Sequence, residues 1–134
     1  MGTLYIVGTP IGNLEDVSFR VIRILSEVHL IAAEDTRVTE KLLSRYDIKT
    51  KKTSFNKDNS FSKIPEILNT LVDNDVALTT DAGTPGISDP GYDLVKEVDS
   101  AGFSVVGIPG PSAVTTILSM CPFPLEGFVF TGFP

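Results

Sequence analysis

Four short stretches hold most of the groups able to do chemistry: "GTPIGN" (8–13), "EDTR" (34–37), "DAGTPGISDPG" (81–91) and "GIPGPSA" (107–113). Three are built from glycine and proline, one from charges. Glycine lets a backbone approach a ligand closely or take a positive φ. Proline fixes φ and removes a competing N–H. Such loops, gathered on one edge of a sheet, make a rigid pocket whose fixed N–H and C=O groups can read an adenine and a ribose. The same composition also serves simply to turn a chain, so convergence on one edge is the feature that separates the two uses. The rim of the longest loop is acidic, with Asp81, Asp89 and Asp93. Carboxylates there disfavour a polyphosphate and tolerate a cation such as a sulfonium. Phosphate-binding motifs are absent in detail. "GTPIGN" carries Asn13 and Leu14 where a P-loop needs Lys and Ser/Thr, and the GxGxxG triplet of dinucleotide binders is missing.

These loops must be positioned by regular elements, and the hydrophobic pattern supplies them. Apolar runs at 4–7, 29–33, 76–80, 103–108 and 128–133, with a weaker one at 51–55, read as strands. Helical spacing appears between them. Val17, Val21, Ile24, Leu25 and Val28 share one face, as do Ile64, Ile67, Leu68 and Leu71 behind a candidate N-cap at Ser62. A helix runs from Thr36 to Tyr46 with Leu42 and Leu43 inward. A shorter one carries Leu94, Val95 and Val98 and ends at Gly102. A fifth follows Ser112 to Met120. Strands alternating with helices predict an α/β fold, a mostly parallel five- to six-stranded sheet with helices on both faces. Ligands of such sheets bind at the carboxyl ends of the strands, near a topological switch point. The Gly/Pro loops all follow strands.

Composition narrows the class. The 134 residues suffice for one domain with one core, and 42% hydrophobic against 21% charged residues is a globular balance. One Cys (Cys121) and one His (His29) leave no disulfide and no structural metal site to expect. No apolar run reaches the roughly 18 residues of a membrane span, and a reducing cytoplasm is the expected compartment. The net charge of −6 is unevenly spread: residues 1–63 hold ten Lys/Arg against eight Asp/Glu, residues 64–134 hold Lys96 against nine acids. A nucleic acid would therefore approach the N-terminal half. Lys49, Lys51 and Lys52 are candidates for that face, although charge runs more often only solvate one. Asn13 reads as a turn residue and His29 as structural.

Taken together, "LYIVGTPIGNLED", "LIAAEDTR", "DAGTPGISDPGYDLV" and "GIPGPSA" resemble the N-terminal domain of the tetrapyrrole methylase superfamily, and within it the ribosomal-RNA cytidine 2′-O-methyltransferases. The likeness runs through essentially the whole chain. Precorrin methylases and diphthine synthase share the fold and an equivalent of "GIPGPSA", but are not expected to carry "EDTR" with "AGTPGISDPG". The resemblance implies S-adenosylmethionine as methyl donor, a ribose 2′-hydroxyl of a cytidine in 16S ribosomal RNA of the small subunit as acceptor, and a homodimer; composition already leaves no metal to expect. A tetrapyrrole or other small-molecule acceptor is the alternative. It also implies that residues 1–134 are an N-terminal α/β domain whose C-terminal cofactor-binding half is absent, so that the piece alone would be inactive. Phe128, Phe130 and Phe133 should then be exposed where a partner domain or subunit belongs.

Carried onto this sequence, the cofactor contacts fall on Pro10, Asp81, Gly83, Thr84, Ile87, Ser112 and Ala113. Ser112 is also a good N-cap in its own right. On the acceptor side stand Glu34, Asp35 and Arg37. A ribose hydroxyl has a high pKa, so a base such as Asp35 or Glu34 helps as its bond to carbon forms, and Arg37 can clamp a flanking phosphate. The competing use is local: Asp35 caps the next helix and Arg37 pairs with a nearby carboxylate. Val38 stands where His often follows "DTR" in this family, and Gly8 where Ala is commoner.

Overall fold

The structure, a computed structural model, describes residues 1–133. Five strands, β1 (Thr3–Val7), β2 (Leu30–Ala33), β3 (Lys52–Ser54), β4 (Val76–Thr79) and β5 (Ser104–Ile108), alternate with five helices, α1 (Phe19–Glu27), α2 (Thr36–Arg45), α3 (Ser60–Leu71), α4 (Tyr92–Ser100) and α5 (Ala113–Ser119). The sheet order is β3-β2-β4-β1-β5 and every pairing is parallel.

Side chains alternate across each strand, so the sheet feeds two separate cores. On one face Val7, Ile31, Ala33, Ala77 and Ile108 pack under Val21, Ile24 and Leu25 of α1 and Leu42 and Leu43 of α2. On the other, Leu4, Leu30, Ala32, Val76 and Leu78 pack with Ile67 and Leu71 of α3 and Leu94 and Val98 of α4. β2 and β4, covered on both faces, are buried at every residue, which is why they read as unbroken apolar runs.

Two expectations are corrected. Residues 128–133 form no sixth strand; the chain after α5 runs without regular elements, because no neighbour offers that segment a ladder. α3 begins at Ser60, ahead of the expected cap Ser62. Asn59 holds the cap position without a side-chain cap bond. Its amide instead donates to Ser54 Oγ (2.8 Å) and its carbonyl accepts from Asn56 N–H (2.9 Å), closing the β3–α3 turn.

α5 is the exception to the layered packing. Ser112 caps it by accepting from Thr115 N–H, yet none of its residues is buried. Ile117 within it, and Met120, Phe123, Phe128, Val129, Phe130 and Phe133 beyond it, are all at least half exposed. The expected exposure of Phe128, Phe130 and Phe133 is therefore present. Among the described residues no helix is long and apolar enough to cross a membrane.

Candidate functional site

β1 and β4 are neighbours, but their onward connections part. The chain leaving β1 crosses to α1 on one face, and the chain leaving β4 crosses to α4 on the other. That divergence opens a crevice at their carboxyl ends. The loops leaving the two strands join across it as an isolated antiparallel bridge: Thr9 N–H donates to Gly83 C=O (3.0 Å) and Gly83 N–H to Thr9 C=O (3.1 Å). Thr9, almost fully buried, adds a hydroxyl bond to Thr80 C=O (3.2 Å). On the other side the loop after β5 meets the loop after β1 backbone to backbone. A Cβ placed on Gly110 would stand 2.7 Å from the Cα, C and O of Gly8. The three Gly/Pro loops thus converge at one edge, fastened by glycines at their crossing points.

Beside that junction lies a pocket of about 440 Å3, lined by Gly83, Thr84, Ile87, Asp89, Ser112 and Ala113, with Ile11 and Phe130 closing it. Five of the seven residues expected to hold the cofactor share this pocket. Pro10 and Asp81 do not line it. Pro10 is buried within the loop after β1, and Asp81 turns toward the charged loop instead. Ile87 is 56% exposed, an apolar side chain held in the open by its turn. Ile11, Ser88, Asp89 and Phe130 were not among the expected contacts. Ser88, at φ +56°, sits in a left-handed turn that a serine seldom takes, and nothing in its residue type announces that. Phe130 arrives from a segment read as a strand.

The "EDTR" loop is tied to the end of β4 by a reciprocal pair. Asp35 N–H donates to Asp81 Oδ1 (3.1 Å) and Asp81 N–H to Glu34 Oε1 (3.0 Å). Asp35 is the N-cap of α2, accepting from Arg37 N–H (2.9 Å). The Arg37 fork closes on both of its oxygens, Nε at 3.1 Å and a terminal nitrogen at 2.9 Å. Those bonds hold the Asp35 carboxyl below its ordinary range and raise Arg37. A carboxylate so occupied is a weak proton acceptor. Asp81 and Asp89 move the other way. Burial lifts both; the charge of Glu34 adds to the rise at Asp81, and the bond from Thr80 opposes it at Asp89.

Asn13 accepts from Glu15 N–H (2.9 Å) as a turn residue. His29 lies at the opposite edge of the sheet, in a wide depression of about 800 Å3 with Asp73 and Asp75. That depression is far from all three Gly/Pro loops. Lys49 and Lys52 pair with Asp47 and Glu40. Among the described residues no group of His, Cys, Asp and Glu is placed to hold a metal ion.

Residues 3–131 match the family of tetrapyrrole (corrin/porphyrin) methylases. Curated relatives include a ribosomal RNA small subunit methyltransferase I of Thermotoga maritima, 52% identical over 134 residues, covering 99% of this chain and 60% of that protein. The protein of the same name from Halalkalibacterium halodurans is 50% identical, covering 98% of this chain and 46% of its own. The chain thus spans about half the length of these relatives. Among solved structures, a uroporphyrin-III-C-methyltransferase from Thermus thermophilus superposes with a TM-score of 0.69 at 19% identity, over 95% of this chain and 55% of that one. At that identity the likeness speaks for the fold.

Proposed function

The chain belongs to the tetrapyrrole methylase family, and on that premise we propose that it is part of an S-adenosylmethionine-dependent methyltransferase acting on a ribose 2′-hydroxyl of a cytidine in 16S ribosomal RNA. The observation that carries the reading is the convergence of the three Gly/Pro loops on one pocket at the β1/β4 switch point. The 47–52% identity to small-subunit RNA methyltransferases favours RNA over a tetrapyrrole ring, which the broad family description and the remote structural neighbours name.

The pocket suits the donor. Its volume lies within the usual range for ligand sites, roughly 300–1,000 Å3. Ile87 offers an apolar flank for an adenine, Thr84 and Ser112 offer hydroxyls, and Asp89 offers charge opposite a cation. When bound, S-adenosylmethionine supplies an electrophilic methyl group on a sulfonium. The chain's own part is alignment: the fastened loops fix where donor and acceptor meet, which removes orientational freedom from the reaction. Asp35 holds α2 and Arg37 in register, and Arg37, with its side chain 89% exposed, can exchange its partner for a flanking phosphate. Glu34 and Asp81 lock that loop to the pocket edge. The reading further places a second α/β half over the pocket, a homodimer, and the cytoplasm as compartment. The exposed apolar residues from Ile117 to Phe133 support a covering partner.

The test is methyl transfer by the full-length protein from labelled S-adenosylmethionine to small-subunit RNA, followed by nuclease digestion. A 2′-O-methylated cytidine is expected. Label recovered only in other nucleosides, or none at all, ends the proposal.

A further inference from the structure

Two hollows meet along the turn 86–90. One is the pocket described above. The other, about 650 Å3, is walled by Glu34, Asn56, Lys57 and Asp58 on one side and by Gly86 and Ser88–Pro90 on the other. Ser88 and Asp89 line both. Among the described residues Asp89 is the carboxylate common to the two. Glu34 and Asp58 face only the second hollow, and Asp81 lines neither. Asp89 is partly buried, and one of its oxygens accepts from the hydroxyl of the buried Thr80 (3.3 Å). Its other oxygen has no protein partner among the bonds of this loop. The left-handed turn at Ser88 and the Gly86 N–H bond to Pro90 C=O (3.1 Å) fix the backbone on either side of it.

Resting on the methyltransferase reading above, we propose that Asp89 is a catalytic residue, the group that takes the proton of the acceptor hydroxyl, and that the second hollow receives the acceptor ribose. Lys57 on its far wall supplies a positive charge for a flanking phosphate. The step balances without another reagent. The hydroxyl oxygen forms a bond to the methyl carbon, the carbon–sulfur bond breaks with its electron pair going to sulfur, and the hydroxyl proton passes to Asp89. The products are a methyl ether, a neutral sulfide and a protonated carboxyl. Asp35, closed by the Arg37 fork, lacks a free oxygen for this. Burial raises the Asp89 carboxyl from its ordinary value, the Thr80 bond opposes the rise and the charge of Asp81 adds to it; the raised carboxylate is the stronger base. The charged groups facing it are Glu34, Lys57 and Asp58 across the hollow, Asp93 at the start of α4, and Asp81 at the end of β4.

The experiment compares the full-length protein with its Asp89→Asn and Asp89→Glu variants. Three quantities are read: methyl transfer to small-subunit RNA against pH, the affinity for S-adenosylhomocysteine by calorimetry, and the carbon-13 shift of the Asp89 carboxyl against pH. Asp89→Asn is expected to lower kcat by about 100-fold or more and to leave S-adenosylhomocysteine affinity within about threefold. Asp89→Glu is expected to retain more activity than Asp89→Asn. In the wild type the rate climbs with pH through the same ionisation that the carbon-13 shift reports, and Asp89→Asn lacks that limb. Activity of Asp89→Asn within about threefold of wild type, or a carboxyl titration unrelated to the rate, overturns the assignment and leaves the methyltransferase reading standing. A wild type that transfers nothing to RNA removes that reading, and this one falls with it.

Discussion

Gly110→Ala tests the geometry on which the site is built. The Cβ it introduces meets three backbone atoms of Gly8 at 2.7 Å, where an unstrained carbon contact needs about 3.5 Å. No flexible side chain can yield, so one loop must retreat by roughly 0.8 Å. Overpacking of this kind costs about 1–3 kcal/mol, a fall in Tm of roughly 3–12 °C for a chain of this size. The retreat also moves Ser112 and Ala113 away from Gly83, across the pocket. Affinity for S-adenosylhomocysteine should therefore drop by about tenfold or more. Gly107→Ala, three residues earlier on β5, is the control. A Cβ there meets nothing within 4 Å and needs no positive φ, so Tm should stay or rise slightly as the unfolded chain loses freedom. The assays are thermal unfolding by circular dichroism and calorimetric titration. Equal behaviour of the two variants, or wild-type stability and affinity in Gly110→Ala, would refute the claim that these loops touch through their glycines.

Ile87→Ala should leave unfolding stability within about 0.5 kcal/mol of wild type, since the side chain is mostly exposed, while weakening S-adenosylhomocysteine binding by roughly tenfold, as expected for losing an apolar flank; calorimetry and unfolding on the same sample check both. Ser112→Ala removes the cap that accepts Thr115 N–H and should cost about 0.5 kcal/mol, the low end for caps, because α5 buries nothing; denaturant unfolding measures it. Asp81 has its pKa raised by burial and Glu34, so its ionised form is the one folding disfavours. Asp81→Asn should then be more stable than wild type above the raised folded pKa, with the gain vanishing below the unfolded carboxyl value of about 3.9. Asp35 has the opposite sign: its lowered pKa contributes stability that is present above the ordinary carboxyl value and is lost as pH falls through the lowered one. Unfolding midpoints from pH 3 to 8 separate the two.

The sequence by itself determined the layering of this protein. β2 and β4 are legible as apolar runs and α1 to α4 as amphipathic repeats, because burial on two faces or one writes itself into residue periodicity. It also marked the three glycine- and proline-rich loops, since those residue types answer to backbone conformation. Strand order is a different matter. That β4 inserts between β1 and β2 depends on which apolar surfaces pack best among many alternatives, and it is this insertion that brings Thr9 to Gly83. Fine site geometry was likewise a tertiary outcome. Asp35 looked like a base and Asp89 like part of an acidic rim. Only the fold closed the Arg37 fork on one and left the other between two hollows. Residues 128–133 carried a strand's composition but found no partner strand, because a β ladder requires hydrogen bonds that the segment cannot make with itself.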